Sequence, residues 1–449
     1  MFSKKELRLL STRYCLILAC YWGLFCSFYT YATVFLLGHS FTSSSVGIII
    51  ALGNVLGLLL QPMVAAQADR GDRMTLHQII CLLALLMAVL GTILFLLPLP
   101  TPGIALLFMG MDCLMWTLMP LTNSLSVYYI NRRIAINFGI SRGMGSIGYA
   151  IVSSLLSFAV TAFGSSITMV FNVVLMLLMI LLVLQMPVVH ETAQPFDSSI
   201  ADVTPAKASE QAVSSALGRE VSRDCGQIIS ADSSTSSASM QNRDADSVQN
   251  NDSSVLTFFR RYPRFGLTVL GFTLIFIFHN MSNNYMIYLV EALGGTEGTM
   301  GSLFAIQAIV ELPAMFGIAL LLKKFSASTL MKIAALFFAI KAASYILAFD
   351  LPTLYGTQLL QSVSYALFTP ASVYYVNEIM KEADKVKGQA FMTMTNTLGG
   401  IIGSLLGGFL LSYASLRVLM NIDLALAAGG ALLVWIFNRS RAKSIQSLS

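Results

Sequence analysis

Twelve runs of about 20 predominantly apolar residues organise this chain, each long enough to cross a bilayer as a helix. They begin near Tyr14, Ser45, Leu76, Gly103, Phe138 and Ile167 and, after a polar stretch, near Phe265, Met300, Leu330, Thr353, Gly388 and Arg417. In lipid a backbone must satisfy its own hydrogen bonds, which leaves helices or closed barrels. Runs of this length select helices. Of the 449 residues, 56% are hydrophobic and 11% charged, and mean hydropathy is +0.74. A soluble domain carries about 25% charged residues, so this chain could not cover a soluble surface. The sequence predicts an all-α, polytopic membrane protein with 12 transmembrane helices. It excludes a soluble enzyme, a nucleic-acid-binding protein and a secreted disulfide scaffold.

Charge sets the orientation. The net charge of +5 conceals an uneven distribution, because 10 acidic but only 4 basic residues lie between Val189 and Val255. Elsewhere basic residues cluster before span 1 (Lys4, Lys5, Arg8, Arg13), between spans 2 and 3 (Arg70, Arg73), and between spans 4 and 5 (Arg132, Arg133). They recur between spans 8 and 9, between spans 10 and 11, and after span 12. In all, 24 of the 27 fall on one side of the predicted membrane, which the positive-inside rule makes cytoplasmic. Both termini are therefore expected inside a multi-pass protein of the plasma membrane. The basic N-terminus leads into its apolar run without a small-residue cleavage site, so it reads as an uncleaved first span.

The stretch from Val189 to Val255 holds 15 serines and little apolar periodicity, and is expected to be a disordered cytoplasmic linker. It divides the chain into an N-terminal half, residues 1–188, a linker, residues 189–255, and a C-terminal half, residues 256–449. The halves resemble one another. Gly47 to Ile79 aligns without a gap on Gly301 to Ile333, and the tails of spans 4 and 10 read Ser126-Val127-Tyr128-Tyr129-Ile130-Asn131 and Ser372-Val373-Tyr374-Tyr375-Val376-Asn377. Gly399, Gly403 and Gly407 in span 11, and Gly145 and Gly148 in span 5, mark close helix contacts. Five cysteines lie in apolar runs and Cys225 in the linker, with no disulfide or metal spacing. No phosphate-binding loop, nucleophile elbow or other catalytic motif is present, and no cofactor is expected.

Charges within a membrane are costly and mark candidate sites. Asp112 in span 4, Arg142 in span 5, Glu311 in span 8 and Lys341 in span 9 are the main ones. Asp423 in span 12 is a weaker fifth that could reach the outer interface beside Arg417. Glu311 and Lys341 each lie about 11 residues, roughly 16 Å, into consecutive helices, close to mid-membrane. They read as a proton-coupling pair or as a structural ion pair, with Asp112 in reserve. Arg142 and Tyr149, seven residues apart, share a helix face and could bind a solute, a guanidinium by fixed hydrogen bonds and a ring by stacking. The alternative is an arginine snorkelling at the cytoplasmic edge. Asn123 and Ser124 should reach a similar depth. In span 7, His279, Asn280 and Asn283 could line a wet cavity or simply bond between helices.

Two six-span halves in one orientation, with Leu60-Gln61-Pro62 running into Asp69-Arg70 and with Phe138-Gly139 leading through Arg142 to Gly145, resemble the major facilitator superfamily. Within it, the chain is similar to the branch of lactose permease and the phenylpropionate permeases. That resemblance implies the major facilitator fold, a solute site between the halves, and alternating access. It gives Arg142 and Tyr149 sugar-binding roles, Glu311 and Lys341 a place in a coupling network, and Asp69, Arg70 and Arg73 a role as a conformational gating loop. The family's span-10 histidine and proton-carrying glutamate fall on Tyr365 and Phe368, and its span-7 acids on Asn280 and Asn283. The gating loop reads Asp69-Arg70-Gly71-Asp72-Arg73, with Asp72 at the family's glycine. The expectation is a proton-coupled symporter of a sugar or oligosaccharide. Alternatives are an organic-acid or nucleoside transporter and, in another class, a non-transporting sensor or scaffold. Its expected partners are a small solute, protons and the lipid bilayer, not nucleic acid, with the protein a monomer.

Overall fold

The computed structural model describes residues 4–70, 74–132, 134, 138–188 and 255–438. The stretch 189–254, and Arg73 of the expected gating loop, lie outside the described residues. So do the side chains of Asp69, Arg70 and Arg142, which the sequence singled out.

The N-terminal half comprises α1 (Lys4–Phe25), a π-helical turn (Cys26–Thr30), α2 (Ala32–Gly38), α3 (Ser43–Arg70), α4 (Leu76–Leu96), α5 (Thr101–Asn131), α6 (Phe138–Phe163) and α7 (Ile167–Leu184). The C-terminal half comprises α8 (Val255–Arg261), α9 (Pro263–Asn284), α10 (Met286–Ala292), α11 (Glu297–Lys324), α12 (Ala327–Leu347), α13 (Leu351–Gln358), a 3-10 turn (Leu359–Ser362), α14 (Tyr365–Ile379), α15 (Glu382–Tyr413) and α16 (Leu416–Phe437). Among the described residues, 11 helices are long and apolar enough to cross a membrane. The twelfth crossing is the path from Leu351 to Ile379, which the sequence suggested as one helix and which is delivered in three pieces.

Local chemistry sets many of the boundaries. Thr75 caps α4, accepting from Gln78 N while Gln78 Oε1 accepts from Thr75 N. Thr296 and Thr299 do the same for α11, and Asp350 and Thr353 for α13. Such caps satisfy backbone donors that a helix start otherwise leaves open. The break at the top of α14 has a comparable origin. Ser364 Oγ donates back to Leu360 O at 2.8 Å, and Val363 N bonds to the same carbonyl three residues back, the spacing of a 3-10 turn.

The helices do not hide their apolar faces as a soluble bundle would. Phe158 and Leu184 are 78% and 69% exposed, and α4 and α7 present rows of leucines outward. These are surfaces for lipid. The halves meet along two helix pairs, α3 against α15 and α6 against α11. We call the end at which α1 starts and α16 finishes the linker end, and the opposite end the far end. On the far side, Ser153 Oγ donates to Gly301 O at 2.7 Å and Ser157 Oγ to Gly298 O at 2.5 Å. There α11 approaches α6 so closely that a Cβ on Gly298 would run into the Ser157 carbonyl oxygen. Likewise, Ser44 N donates to Ser412 Oγ at 2.9 Å, and Ser43 Oγ lies 2.5 Å from Tyr288 Oη.

Candidate functional site

Three crossings lose α-helical geometry partway, and each break borders one cavity. Crossing 1 breaks at the π turn carrying Tyr29 and Thr30, crossing 7 just after Asn283 and Asn284, and crossing 10 at the turn carrying Gln361. Irregular backbone at membrane depth is tolerated where it is buried in protein or lines a cavity, and discontinuous helices commonly build transport sites.

The cavity encloses about 920 Å³ of empty space, counting its mouth, between the two halves. Its walls differ. The N-terminal half contributes rings, with Trp22, Phe25, Tyr29, Trp116 and Tyr149 among the lining residues. Phe25 and Tyr29 lie 4.9 Å apart centre to centre, and Trp116 stands edge-on to both. Tyr149 Oη is held 2.9 Å from Thr30 Oγ1. The C-terminal half contributes the rings of His279, Phe304 and Tyr365 but is richer in amides, with one carboxylate: Asn280, Asn283, Asn284, Gln307, Gln361, Asn396 and Glu311.

Several of these amides are already oriented. Asn280 Nδ2 donates to Asn396 Oδ1 at 3.0 Å, and Asn284 Nδ2 to Ser404 Oγ at 2.8 Å. Asn283 Nδ2 lies 3.2 Å from His279 Nε2, and the His279 ring stacks on Tyr365 at 5.1 Å. Glu311 and Lys341 are connected through a third residue. Lys341 Nζ donates to Gln361 Oε1 at 2.6 Å, and Gln361 Nε2 donates to Glu311 Oε1 at 2.9 Å. A glutamine suits this place because its carbonyl accepts from an ammonium while its NH2 donates to a carboxylate. Glu311 lines the cavity, whereas Lys341 is fully buried behind Gln361.

Of the residues singled out from sequence, Tyr149, His279, Asn280, Asn283 and Glu311 lie together on the cavity wall. Asp112 does not. It is fully buried behind Trp116, packed against Gly53, and neither of its oxygens has a hydrogen-bond partner among the described residues. Asn123 and Ser124 lie off the lining, beyond Trp116 and Met119, which represent α5 there. Asp423, expected near the outer interface, is 3% exposed and accepts from Ser282 Oγ at 2.6 Å, while Arg417 lies exposed one and a half turns away.

The sequence reading missed Trp22, Phe25 and Tyr29, although their spacing of three and four places them on one helix face. It also missed Gln307, one turn before Glu311, and Gln361. Uncharged amides in apolar runs raise little alarm, and Gln361 gains meaning only from the two charges that it joins.

No sequence among the curated proteins matches the chain. Solved structures match its fold over nearly its full length. The crystal structure of the nucleoside transporter NupG superposes with a TM-score of 0.66 at 14% identity, covering 96% of this chain and 98% of that one. A D-xylose-proton symporter gives 0.64 at 14% identity, covering 98% and 99%. The inward-open xylose transporter XylE from E. coli gives 0.62 at 14% identity, covering 97% and 96%. The MFS_1 like family model matches residues 11–422, within the major facilitator transporters whose fold the structure shares. The chain therefore belongs to the MFS_1 like family of membrane transporters.

Proposed function

We propose that this transporter is a proton-coupled symporter of a neutral, polyhydroxylated solute, a sugar or short oligosaccharide, working by alternating access. The observation that carries the reading is the two-sided cavity. Rings on one wall can stack on the apolar face of a sugar, and six amides on the other can each donate to and accept from its hydroxyls. Tyr149 is the leading stacking ring, and Arg142, by the resemblance of span 5, would add a guanidinium to the same site. An aromatic acid fits less well, because Lys341 is committed to Gln361 behind the wall and the charged lining residue among the described ones is the carboxylate Glu311, which leaves such an acid Arg142 as its counter-charge.

Glu311 is the leading proton carrier. It is the carboxylate among the described lining residues, and Gln361 links it to the buried Lys341. Asp69, Arg70 and Arg73 would form the gating loop, with both termini and the central linker in the cytoplasm. In this arrangement the far-end contacts close the outer side and the cavity is reached from inside. A nucleoside is the second reading, favoured by the cluster of Phe25, Tyr29 and Trp116, which could offer a planar base an aromatic surface.

Proteoliposomes with an imposed proton gradient test both readings. Uphill uptake of a neutral saccharide, abolished by a protonophore, is the expected result. Uphill uptake of nucleosides alone would transfer the assignment to the second reading, and no gradient-driven uptake of either solute would refute both.

A further inference from the structure

A second group of buried polar side chains lies within the C-terminal half, off the cavity. Asp423 on α16 is 3% exposed and its Oδ2 accepts from Ser282 Oγ on α9. Its Oδ1 has no partner among the described residues. Tyr345 on α12 faces both Asp423 and Gln358, the last residue of α13. The Tyr345 hydroxyl and Gln358 are likewise buried, and they face each other as hydrogen-bonding neighbours. Four helices thus contribute to one buried polar group, in which Asp423 Oδ1 lacks a partner among the described residues.

Isolated buried polar atoms normally find partners, and a bare carboxylate in a membrane protein is costlier still. The basic groups nearest in sequence and space do not neutralise this one. Lys341, one turn before Tyr345 with its Nζ 5.7 Å from that ring, donates to Gln361. His279, three residues before Ser282, stacks on Tyr365 at the cavity wall, and Arg417 is exposed. From the elements packed around α16, the titratable groups toward Asp423 are therefore Tyr345 and, beyond it, Lys341. The charge calls for a counter-charge of one unit. A proton on Oδ1 would turn an unsatisfied acceptor into a donor for Gln358 Oε1 or Tyr345 Oη. A sodium ion would suit the same hard oxygens, whereas a divalent ion would leave one uncompensated positive charge in a low-dielectric site.

We propose that Asp423, Ser282, Tyr345 and Gln358 form a second site, separate from the solute cavity, that takes up one monovalent cation, a proton or Na+. The site is wired to the cavity. Gln358 ends α13 and Gln361 sits in the turn that follows, so one break in crossing 10 carries a side chain to each site. From Tyr345 the path runs through Lys341 and Gln361 to Glu311. Occupancy by the cation can thereby bias the geometry at the solute site. Cation binding itself does not depend on the coupling role proposed for Glu311.

The test uses the purified full-length protein and two readouts. The first is the melting temperature at alkaline pH in sodium chloride against choline chloride. The second is the infrared carbonyl band of protonated carboxylic acids during a pH titration. If Na+ is the ligand, it raises the melting temperature of the wild type and not of Asp423→Asn. If a proton is the ligand, Na+ has no effect, and a carbonyl band that fades reversibly with rising pH is missing from Asp423→Asn. Gln358→Met keeps the carboxylate, and serves should Asp423→Asn not fold. It should raise the half-saturating Na+ concentration at least about tenfold, or shift the pH at which the band fades. Glu311→Gln should remove only the band of Glu311 itself, leaving the Na+ response and the band that Asp423→Asn abolishes as in the wild type. A protein with neither a Na+ response nor a titrating band, or one whose responses vanish in Glu311→Gln and persist in Asp423→Asn, would overturn the proposal.

Discussion

The bridge through Gln361 makes a quantitative demand on stability. Gln361→Leu keeps most of the side-chain volume but removes both bridging groups, the carbonyl that accepts from Lys341 Nζ and the amide that donates to Glu311. A hydrogen bond to a charged group contributes about 1.5–3 kcal/mol, so losing two costs about 3–6 kcal/mol. Even the lower bound is roughly a hundredfold in the unfolding equilibrium. The penalty should fall mainly on Lys341, which has 0% exposure and therefore no water to replace the lost acceptor. Replacing that ammonium as well, in Lys341→Met/Gln361→Leu, should recover much of the loss, because an apolar pair strands no charge. Equilibrium unfolding in mixed micelles can be followed by tryptophan fluorescence, since Trp22 and Trp116 border the cavity. A Gln361→Leu protein within about 0.5 kcal/mol of wild type would refute the bridge as a stabilising element. So would a double variant whose loss is the simple sum of its parents, since groups in one network should show coupling.

Other consequences can be checked separately. Glu311→Gln should retain solute exchange across the membrane while losing gradient-driven accumulation, and unimpaired accumulation would remove Glu311 from the coupling step. Tyr149→Phe keeps the ring and loses the bond to Thr30, about 1 kcal/mol, so calorimetry should show solute affinity within roughly tenfold of wild type. Tyr149→Ala should weaken it further. Gly47→Leu would drive a side chain into the Ser404 carbonyl oxygen at the far end. It should hold that end open, read as increased labelling of a cysteine at position 44. Asp350, which caps α13 and accepts from Thr353, has its carboxyl held below the usual carboxylate range by those hydrogen bonds. A depressed folded value means that the cap stabilises above the ordinary aspartate range and is lost as pH falls through the lower one. Hydrogen-exchange protection factors in α13, corrected for the intrinsic pH dependence of exchange, should therefore fall in acid, and less so in Asp350→Asn.

The architecture was legible because lipid imposes a simple rule. Apolar length gives the crossings, and Ser126–Asn131 repeated at Ser372–Asn377 gives the two halves. Helix continuity was less legible. The run after Thr353 is apolar enough to suggest an unbroken helix, but the turn from Leu359 to Ser364, where Val363 N and Ser364 Oγ both bond to Leu360 O, interrupts it. Charged site residues announce themselves in an apolar sequence, so Glu311 and Lys341 stood out. Their connection did not, because it depends on Gln361, which is 50 residues from one and 20 from the other. Asp423 shows the opposite error. Its place near the end of an apolar run suggested the interface, but Ser282 on a neighbouring helix holds it inside.

The far-end closure has the strength that an alternating-access cycle requires. Four hydrogen bonds cross between the halves there: Ser153 to Gly301, Ser157 to Gly298, Ser44 to Ser412, and Ser43 with Tyr288. Opening that end exchanges each for bonds to water. At a net 0.5–1.5 kcal/mol apiece, the cost is about 2–6 kcal/mol. A ligand must favour one state by about 5.5 kcal/mol to move an equilibrium from 1:99 to 99:1. The hydrogen-bond part of the cost is therefore no larger than what one ligand's differential affinity can offset. Had the halves been locked by buried ion pairs, breaking one would cost about 3–5 kcal/mol and several would exceed what a small solute can supply. Serine hydroxyls, two of them on backbone carbonyls, set between helices that glycines bring close together, join the halves at the far end by neutral hydrogen bonds of modest strength.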